Sequence, residues 1–230
     1  MKILLVSATR FEVEPLAARF ENIALIPSIL HKLRNDYLEI DLLTPGIGMV
    51  QTAFYLGKYL AHSDYDLAIN AGICGTYSKD IPIGSVIHVT EECIPEAGVE
   101  EDGRFLSLFE AGLLDFDEFP FDQGKLINLN YPKMTRLIQL KTGTGNTVNT
   151  MLTDPGKLRQ LKTLFPADVE SMEGAAFFWA CQVEGVVCTQ IRAVSNLVGE
   201  RDKAKWDLKL AIKRLDEVLM AVLDELFKEI

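Results

Sequence analysis

Apolar runs alternate with amphipathic stretches along most of the chain. Buried strands are predicted where β-branched and other apolar residues follow one another: KILLVSA, YLEIDLLT, DLAINAGICG, GSVIHVTE, TRLIQLKTGTG and VVCTQIRAVS. Apolar residues at helical spacing predict helices over 12–20, 49–62 and 203–229, with another in the small-residue stretch EGAAFFWACQV. A short helix is predicted after Asp154, which can cap it with Pro155 at its first position.

This alternation of strands and helices predicts an α/β protein. Strands that are apolar on both faces need helices packed on both sides of the sheet. We therefore expect a three-layer α/β/α arrangement around a central twisted mixed sheet. No internal repeat and no linker rich in proline or serine divides the sequence, so 1–230 is predicted to form a single domain.

Composition and charge narrow the class of partner. The 230 residues are 48% hydrophobic and carry a formal net charge of −10, which gives no electrostatic reason to bind nucleic acid or an anionic membrane. A small ligand is the expected partner. The apolar start MKILLV is too short for a signal peptide, and no run reaches the ~20 residues of a membrane helix, so a cytoplasmic protein is expected.

The cysteines and histidines indicate neither a metal site nor a disulfide framework. The four cysteines form no C-x-x-C pair, and only three histidines accompany them. Each cysteine lies in an apolar stretch, which predicts buried free thiols in a reducing compartment. We expect no metal and no cofactor.

One segment, 95–125, lacks the period of either a helix or a strand. It has nine acidic residues against two basic ones, and five phenylalanines, among them Phe105 and Phe119, lie between the charges. It is either a solvated excursion whose phenylalanines pack on the core, or a lid or subunit-contact loop that offers aromatic rings to an apolar ligand.

Candidate chemistry lies where the predicted strands end, because ligands of α/β sheets bind at the carboxyl ends of strands. The polar and glycine positions there are Ser7, Thr9, Arg10, Glu12, Gly46, Gly48, Gly72, Gly75, 142–147, Met172, Glu173, Ser195 and Asn196. The glycines form no dinucleotide-binding fingerprint, since PGIGMVQ lacks the third glycine of G-x-G-x-x-G.

Two acids among these positions stand at predicted helix starts. A glutamate there is commonly only a favourable partner of the helix dipole. If Glu12 and Glu173 instead face one cleft, one carboxylate could deprotonate a water as general base while the other holds a sugar hydroxyl. Met172 would then supply an apolar surface under the sugar, although plain core packing explains it equally well.

Taken together, these residues resemble the nucleoside phosphorylase and nucleosidase superfamily. The resemblance rests on TPGIGMV, NAGICG, TGTGNTV, ESMEGAA and RAVSN in this order. Within this superfamily the chain is similar to the hydrolytic branch, which is typified by methylthioadenosine/S-adenosylhomocysteine nucleosidase. That resemblance implies that Glu12 activates the water, that Met172 and Glu173 contact the ribose, with Glu173 on its hydroxyls, and that the loop 145–148 contacts the purine, with Val148 using its backbone.

The same resemblance implies a homodimer or a higher homo-oligomer. The Phe-rich stretch from Phe105 to Phe121 is then a candidate lining for the 5′ side of a nucleoside, reached across a subunit interface. The further candidates for substrate contact are Gly72, Ser195, Phe105 and Phe119.

Asn196 departs from the nucleosidase pattern, in which an aspartate protonates the purine N7. The stretch SNLVGERDKAKW instead resembles futalosine hydrolases of menaquinone biosynthesis, which release hypoxanthine from futalosine and leave dehypoxanthine futalosine. Chemistry favours the amide independently, because hypoxanthine carries an oxygen at position 6 that would repel a carboxylate. An amide can donate its NH₂ to O6 while its carbonyl accepts from N7–H. A simpler interpretation is that Asn196 only caps the turn.

Three alternatives remain open. A methylthioadenosine-type nucleosidase is disfavoured by Asn196. A purine nucleoside phosphorylase needs arginines for phosphate, and Arg10 is the only one near NAGICG. A non-catalytic nucleoside-binding module would have no need for a water-activating base such as Glu12.

Overall fold

The computed structural model describes residues 1–26, 28–34 and 39–228. Its strands are β1 Ile3–Val6, β2 Glu21–Ile26, β3 Leu30–Arg34, β4 Glu39–Leu43, β5 Leu67–Thr76, β6 Val86–Cys93, β7 Gly98–Glu101, β8 Arg104–Ser107, β9 Leu126–Ile127, β10 Lys141–Thr147, β11 Val169–Ser171 and β12 Cys188–Leu197. Its helices are α1 Arg10–Ala17, α2 Met49–Leu60, α3 Thr135–Ile138, α4 Pro155–Leu164, α5 Gly174–Val183 and α6 Leu208–Lys228.

The large sheet has the strand order β11-β10-β6-β12-β5-β1-β4-β3-β2. Strand β1 is parallel to β4 and β5, and β5 is parallel to β12. The carboxyl ends of these strands therefore meet at one edge, which is where a ligand is expected. Strand β11 also pairs antiparallel with β5, so β5, β12, β6, β10 and β11 close into a ring.

Alternate residues of β1 pack against different helices because successive side chains of a strand point to opposite faces. Ile3 and Leu5 belong to a buried cluster with α1 and α6, and Leu4 and Val6 belong to one with α2 and α5. Burial of each such side chain is worth about 1.5–3 kcal/mol, so packing on both faces fixes the strand whose end carries part of the site.

The mixed α/β class is confirmed. Helices lie on both faces of β1, but the ring departs from the flat middle layer of a three-layer protein, so that arrangement stays a prediction. Within the described residues, no helix is both long and apolar enough to span a bilayer. The cysteines are free thiols; Cys93 is only half-buried, whereas the other three are buried.

Several predicted boundaries shift in the structure. The prediction of a strand throughout TRLIQLKTGTG is wrong at its start, where TRLI forms α3 and β10 begins only at Lys141. The last helix begins at Leu208, after a single 3₁₀ turn over Lys203–Lys205, rather than at residue 203. The predicted strand residues 37–38 and the last predicted helical position, 229, lie outside the described residues.

The cap of α4 was predicted from the sequence, whereas two hairpins were not. Helix α4 has the predicted cap, with the Asp154 carboxylate accepting from the Lys157 N–H at 2.8 Å and Pro155 in the first turn. The hairpin β2–β3 was not predicted. In the Phe-rich segment 95–125 the structure has the small hairpin β7–β8, followed by turns.

Candidate active site

A cavity of about 270 Å³ opens where β1, β5, β11 and β12 approach their carboxyl ends. Its lining includes seven of the predicted strand-end positions, namely Thr9, Glu12, Gly75, Met172, Glu173, Ser195 and Asn196. These residues come from distant parts of the sequence, and the parallel strand order brings them together. Apolar side chains complete the wall: Phe11, Ile47, Ile73, Met151, Val198, Trp206 and Leu208.

Glu12 lies in the first turn of α1, and hydrogen bonds hold both of its carboxylate oxygens. Oε2 accepts from the Thr9 N–H and the Thr9 hydroxyl, each at 2.9 Å. Oε1 accepts from the Ile73 N–H at 3.0 Å, which ties α1 to β5. Each carboxylate oxygen has two lone pairs, so Oε1 keeps acceptor capacity for a water in the cavity.

Glu173 is the N-cap residue of α5, but its side chain makes no cap to that helix. Its Oε1 accepts instead from the Gly48 N–H at 3.0 Å. Gly48 has φ of +105°, a conformation that favours glycine, and it is the N-cap residue of α2. Burial raises the pKa of Glu173, and the nearby Arg192 guanidinium and the Gly48 N–H oppose that rise.

Arg192 is a site residue that the sequence reasoning missed. It lies on β12 with 1% of its surface exposed, and its Nη1 is 3.5 Å from Glu173 Oε2. Among the described residues, neither its Nε nor its Nη2 has a hydrogen-bond partner. An arginine within the apolar run VVCTQIRAVS was the available signal, since a fully buried cation requires a partner.

Gly72, which was predicted to bind substrate, is not part of the cavity lining. A Cβ at this position would meet Arg192 Nη1 and Glu12 Oε1. The missing side chain therefore makes room for the Arg192 guanidinium and for the Glu12 carboxylate that lines the cavity.

Asn196 lies near the end of β12 with 5% of its surface exposed. Its Oδ1 accepts from the Ser195 hydroxyl at 2.7 Å, and its Nδ2 donates to the Leu197 carbonyl at 2.9 Å. Nδ2 carries two hydrogens and Oδ1 two lone pairs, so the amide can still offer one donor and one acceptor to a ligand. Ser195 thus orients the amide as well as lining the cavity.

The remaining predicted contacts lie elsewhere in this chain. Val148 is fully buried outside the cavity lining, and its N–H donates to the Ser171 carbonyl at 2.9 Å. Phe105 packs edge-on against Phe165, with ring centroids 5.9 Å apart, and Phe119 is 71% exposed. Neither phenylalanine lines the cavity, so a contact with ligand would need either movement of this segment as a lid or a second copy of the chain.

Glu170 and Trp206 line the cavity without having been predicted for it. The Tyr77 hydroxyl donates to Glu170 at 2.6 Å, and burial raises the pKa of that carboxyl group. The Trp206 ring N–H donates to the Glu200 carbonyl at 3.0 Å, which fixes the ring where the loop after β12 closes one side of the cavity.

Comparison with known proteins identifies the family. Residues 2–227 match the phosphorylase superfamily. The chain belongs to the phosphorylase superfamily. It is 32% identical over 186 residues to a futalosine hydrolase from Thermus thermophilus, covering 80% of each chain.

Two further relatives indicate the breadth of that family. The chain is 26% identical to a 5′-methylthioadenosine/S-adenosylhomocysteine nucleosidase from Bacillus pumilus, again covering 80% of each chain. Its fold matches that of a futalosine hydrolase from Helicobacter pylori with a TM-score of 0.80, 20% identity and 98% coverage of both chains. The resemblance found in the sequence is thus confirmed at the level of the family and the fold.

Proposed function

We propose that this chain is a purine nucleosidase that hydrolyses the N-glycosidic bond of futalosine. The products are hypoxanthine and dehypoxanthine futalosine, and the whole chain acts as one catalytic domain without a metal or cofactor. The observation that carries the proposal is the convergence of Glu12, Glu173 and Asn196 on one cavity. The futalosine hydrolases among the relatives support the choice of substrate.

Asn196 recognises the leaving base. Its remaining N–H donates to O6 of hypoxanthine, and its Oδ1 accepts from N7–H as the base departs. An amide cannot supply that N7 proton, so the proton comes from solvent. A mismatched buried polar contact costs about 1–3 kcal/mol, enough for roughly ten- to hundredfold discrimination against a base with an amino group at position 6.

Glu12 acts on water. As the glycosidic bond breaks, positive charge develops on the ribose in an oxocarbenium-like transition state, and the buried carboxylates stabilise it. Glu12 Oε1 accepts a proton from the attacking water, whose oxygen bonds to the anomeric carbon. The two bonds from Thr9 to Oε2 keep the carboxylate in place during this transfer.

Glu173 binds the ribose hydroxyls, and Met172 packs against the sugar. The 5′ extension of the substrate needs an apolar environment, which Phe11, Ile47 and Trp206 can supply from within the chain. Phe105 and Phe119 contribute only if their segment moves as a lid or if a second subunit brings them to this cavity, as in the predicted homodimer or higher homo-oligomer.

A phosphorylase is a weaker candidate on electrostatic grounds. Phosphate would have to enter beside the two carboxylates of Glu12 and Glu173, which repel an anion. Arg10 does not line the catalytic cavity, and its Nε donates to Glu14 at 2.6 Å. The prediction that Arg10 is the only arginine near NAGICG is wrong, because Arg192 lies against Gly72 of that motif. Its Nη1 is 3.5 Å from Glu173 Oε2, so a carboxylate already faces this cation.

An assay of base release distinguishes these functions. The protein is incubated with futalosine, inosine and methylthioadenosine, with and without phosphate. We expect hypoxanthine from futalosine at a rate independent of phosphate. Adenine from methylthioadenosine would favour the nucleosidase alternative, phosphate dependence would favour a phosphorylase, and binding without release would favour a non-catalytic module.

A further inference from the structure

A buried carboxylate outside the cavity lining lies behind the start of α5. Glu92, on β6, has 1% of its surface exposed. Its Oε1 accepts from the Gln190 amide at 2.6 Å, and its Oε2 accepts from the Thr147 hydroxyl at 2.8 Å. The Gln190 carbonyl oxygen in turn accepts from the Asn70 amide at 2.8 Å. Both oxygens of Glu92 are therefore held in place.

The Thr147 hydroxyl links Glu92 to the helix. It donates its proton to Glu92, so its lone pairs are left to accept, and it receives the Ala175 N–H at 2.7 Å. This N–H is among the first of α5, which have no acceptor within the helix. An N-cap side chain usually fills that role. Here Thr147 fills it, and the N-cap residue Glu173 can turn its own side chain to the cavity.

The packing leaves Glu92 no clearance. A Cβ at Gly145 or at Gly174, the first residue of α5, would run into its carboxylate. The start of the helix therefore lies directly against the carboxylate, and a change in either one displaces the other.

We propose that Glu92 is a positioning residue for ribose recognition. Through the Thr147 hydroxyl it fixes the start of α5, so that Glu173 faces the sugar hydroxyls. The inference rests on the proposed function, because it assigns Glu92 to the sugar-binding step of that reaction.

The test compares sugars as well as variants. Rates of hypoxanthine release are measured for futalosine and for its 2′-deoxy analogue with the wild-type protein, Glu92→Gln, Thr147→Val and Thr147→Ser. We expect Glu92→Gln and Thr147→Val to lower kcat/KM for futalosine by roughly ten- to hundredfold, the effect of a lost buried hydrogen bond. On the 2′-deoxy analogue the loss is expected to be about threefold or less, since one partner of Glu173 is absent. Thr147→Ser keeps the hydroxyl and should retain the wild-type rates.

Asp41→Asn is the matched control. Asp41 is also buried, accepts from the Tyr65 hydroxyl at 2.7 Å and lies outside the cavity, so its change should leave the preference between the two sugars intact. Equal losses on both sugars would overturn the inference. Absence of base release from any nucleoside by the wild-type protein would overturn the proposed function and the inference with it. If Glu92→Gln does not fold, the Thr147→Val and Thr147→Ser pair decides.

Discussion

The cavity and the Phe-rich segment 95–125 use their side chains in opposite ways. In the cavity, polar groups from distant parts of the chain are buried and held by hydrogen bonds, as Glu12 is by Thr9 and Ile73. In the segment, aromatic rings pack mainly on each other: the ring centroid of Phe109 lies 5.3 Å from that of Phe116 and 5.0 Å from that of Phe121. The Phe121 ring in turn packs on Trp179 of α5, with the ring centroids 5.1 Å apart.

We therefore expect the two regions to have different roles in the protein. The polar cavity residues are expected to govern rate and selectivity, whereas the clustered phenylalanines are expected to govern stability. The aromatic cluster borders a separate cavity of about 260 Å³, which shares no lining residue with the candidate active-site cavity. Substitutions in the two regions should therefore change different measurements.

The largest effect is expected at Glu12. Glu12→Gln keeps the shape of the side chain but removes the proposed base, so kcat for hypoxanthine release should fall by ~10²–10⁴. The thermal midpoint of unfolding, measured on the same variant, should stay close to that of the wild-type protein. A variant with a near-wild-type rate would show that Glu12 is not the base.

The pH dependence of stability should reveal the buried carboxyl group of Glu92. Burial raises the pKa of Glu92 from 4.5 to about 7. Between these values the folded protein holds a proton that the unfolded chain has lost, so this contribution to stability declines as pH rises, by up to about 3 kcal/mol.

Glu92→Gln removes that contribution. The free energy of unfolding of the variant, relative to wild type, should therefore increase from pH 4.5 to 7 in urea titrations. His88, whose pKa burial lowers to about 4, acts in the opposite sense and is present in both proteins, so it cancels in the difference. Parallel curves for the two proteins would contradict the assignment.

Asn196 tests selectivity within the cavity. Asn196→Asp replaces the amide with a carboxylate that repels O6, and we expect the ratio of kcat/KM for futalosine to that for methylthioadenosine to fall roughly ten- to hundredfold. Asn196→Ala provides the comparison, because it removes the amide without adding a charge. An unchanged ratio in the aspartate variant would leave Asn196 as a residue of the turn alone.

The smallest effect is expected from Phe119 in the other region. This ring is 71% exposed, so Phe119→Ala should change the free energy of unfolding by no more than about 0.5 kcal/mol. Phe121→Ala, from within the aromatic cluster, should destabilise clearly more. A fall in futalosine turnover with Phe119→Ala and unchanged stability would instead place this ring at the 5′ pocket, of this chain or of a neighbouring subunit.

The sequence predicted the cavity better than its surroundings. Glu12, Glu173 and Asn196 could be found because each follows an apolar strand, and parallel strands bring such positions to one edge. The roles of Arg192 and Glu92 depend on burial by distant segments, although for Arg192 its position within an apolar run was a signal of that burial. Glu92 in particular is one of two neighbouring glutamates at the end of a strand, which locally is typical of a solvent-facing position.

Secondary structure was mispredicted where the apolar pattern was short. TRLI is apolar enough to continue into the following strand, but pairing with β6 begins only at Lys141, opposite Ile87. Before that point no ladder partner is available, and the chain turns once as α3 against α6. Tertiary pairing, not local propensity, fixed the boundary.

Closure of the ring of strands β5, β12, β6, β10 and β11 is linked to completion of the cavity. Its closing pair joins Thr76 to Val169, segments far apart along the chain, and such contacts bear a high entropic cost before they form. This closure brings three residues to the cavity, namely Glu170 and Ser171 of β11 and Glu173, which follows that strand. A chain whose ring is still open would lack this wall of the cavity, so catalytic competence should require the pairing of β11 with β5.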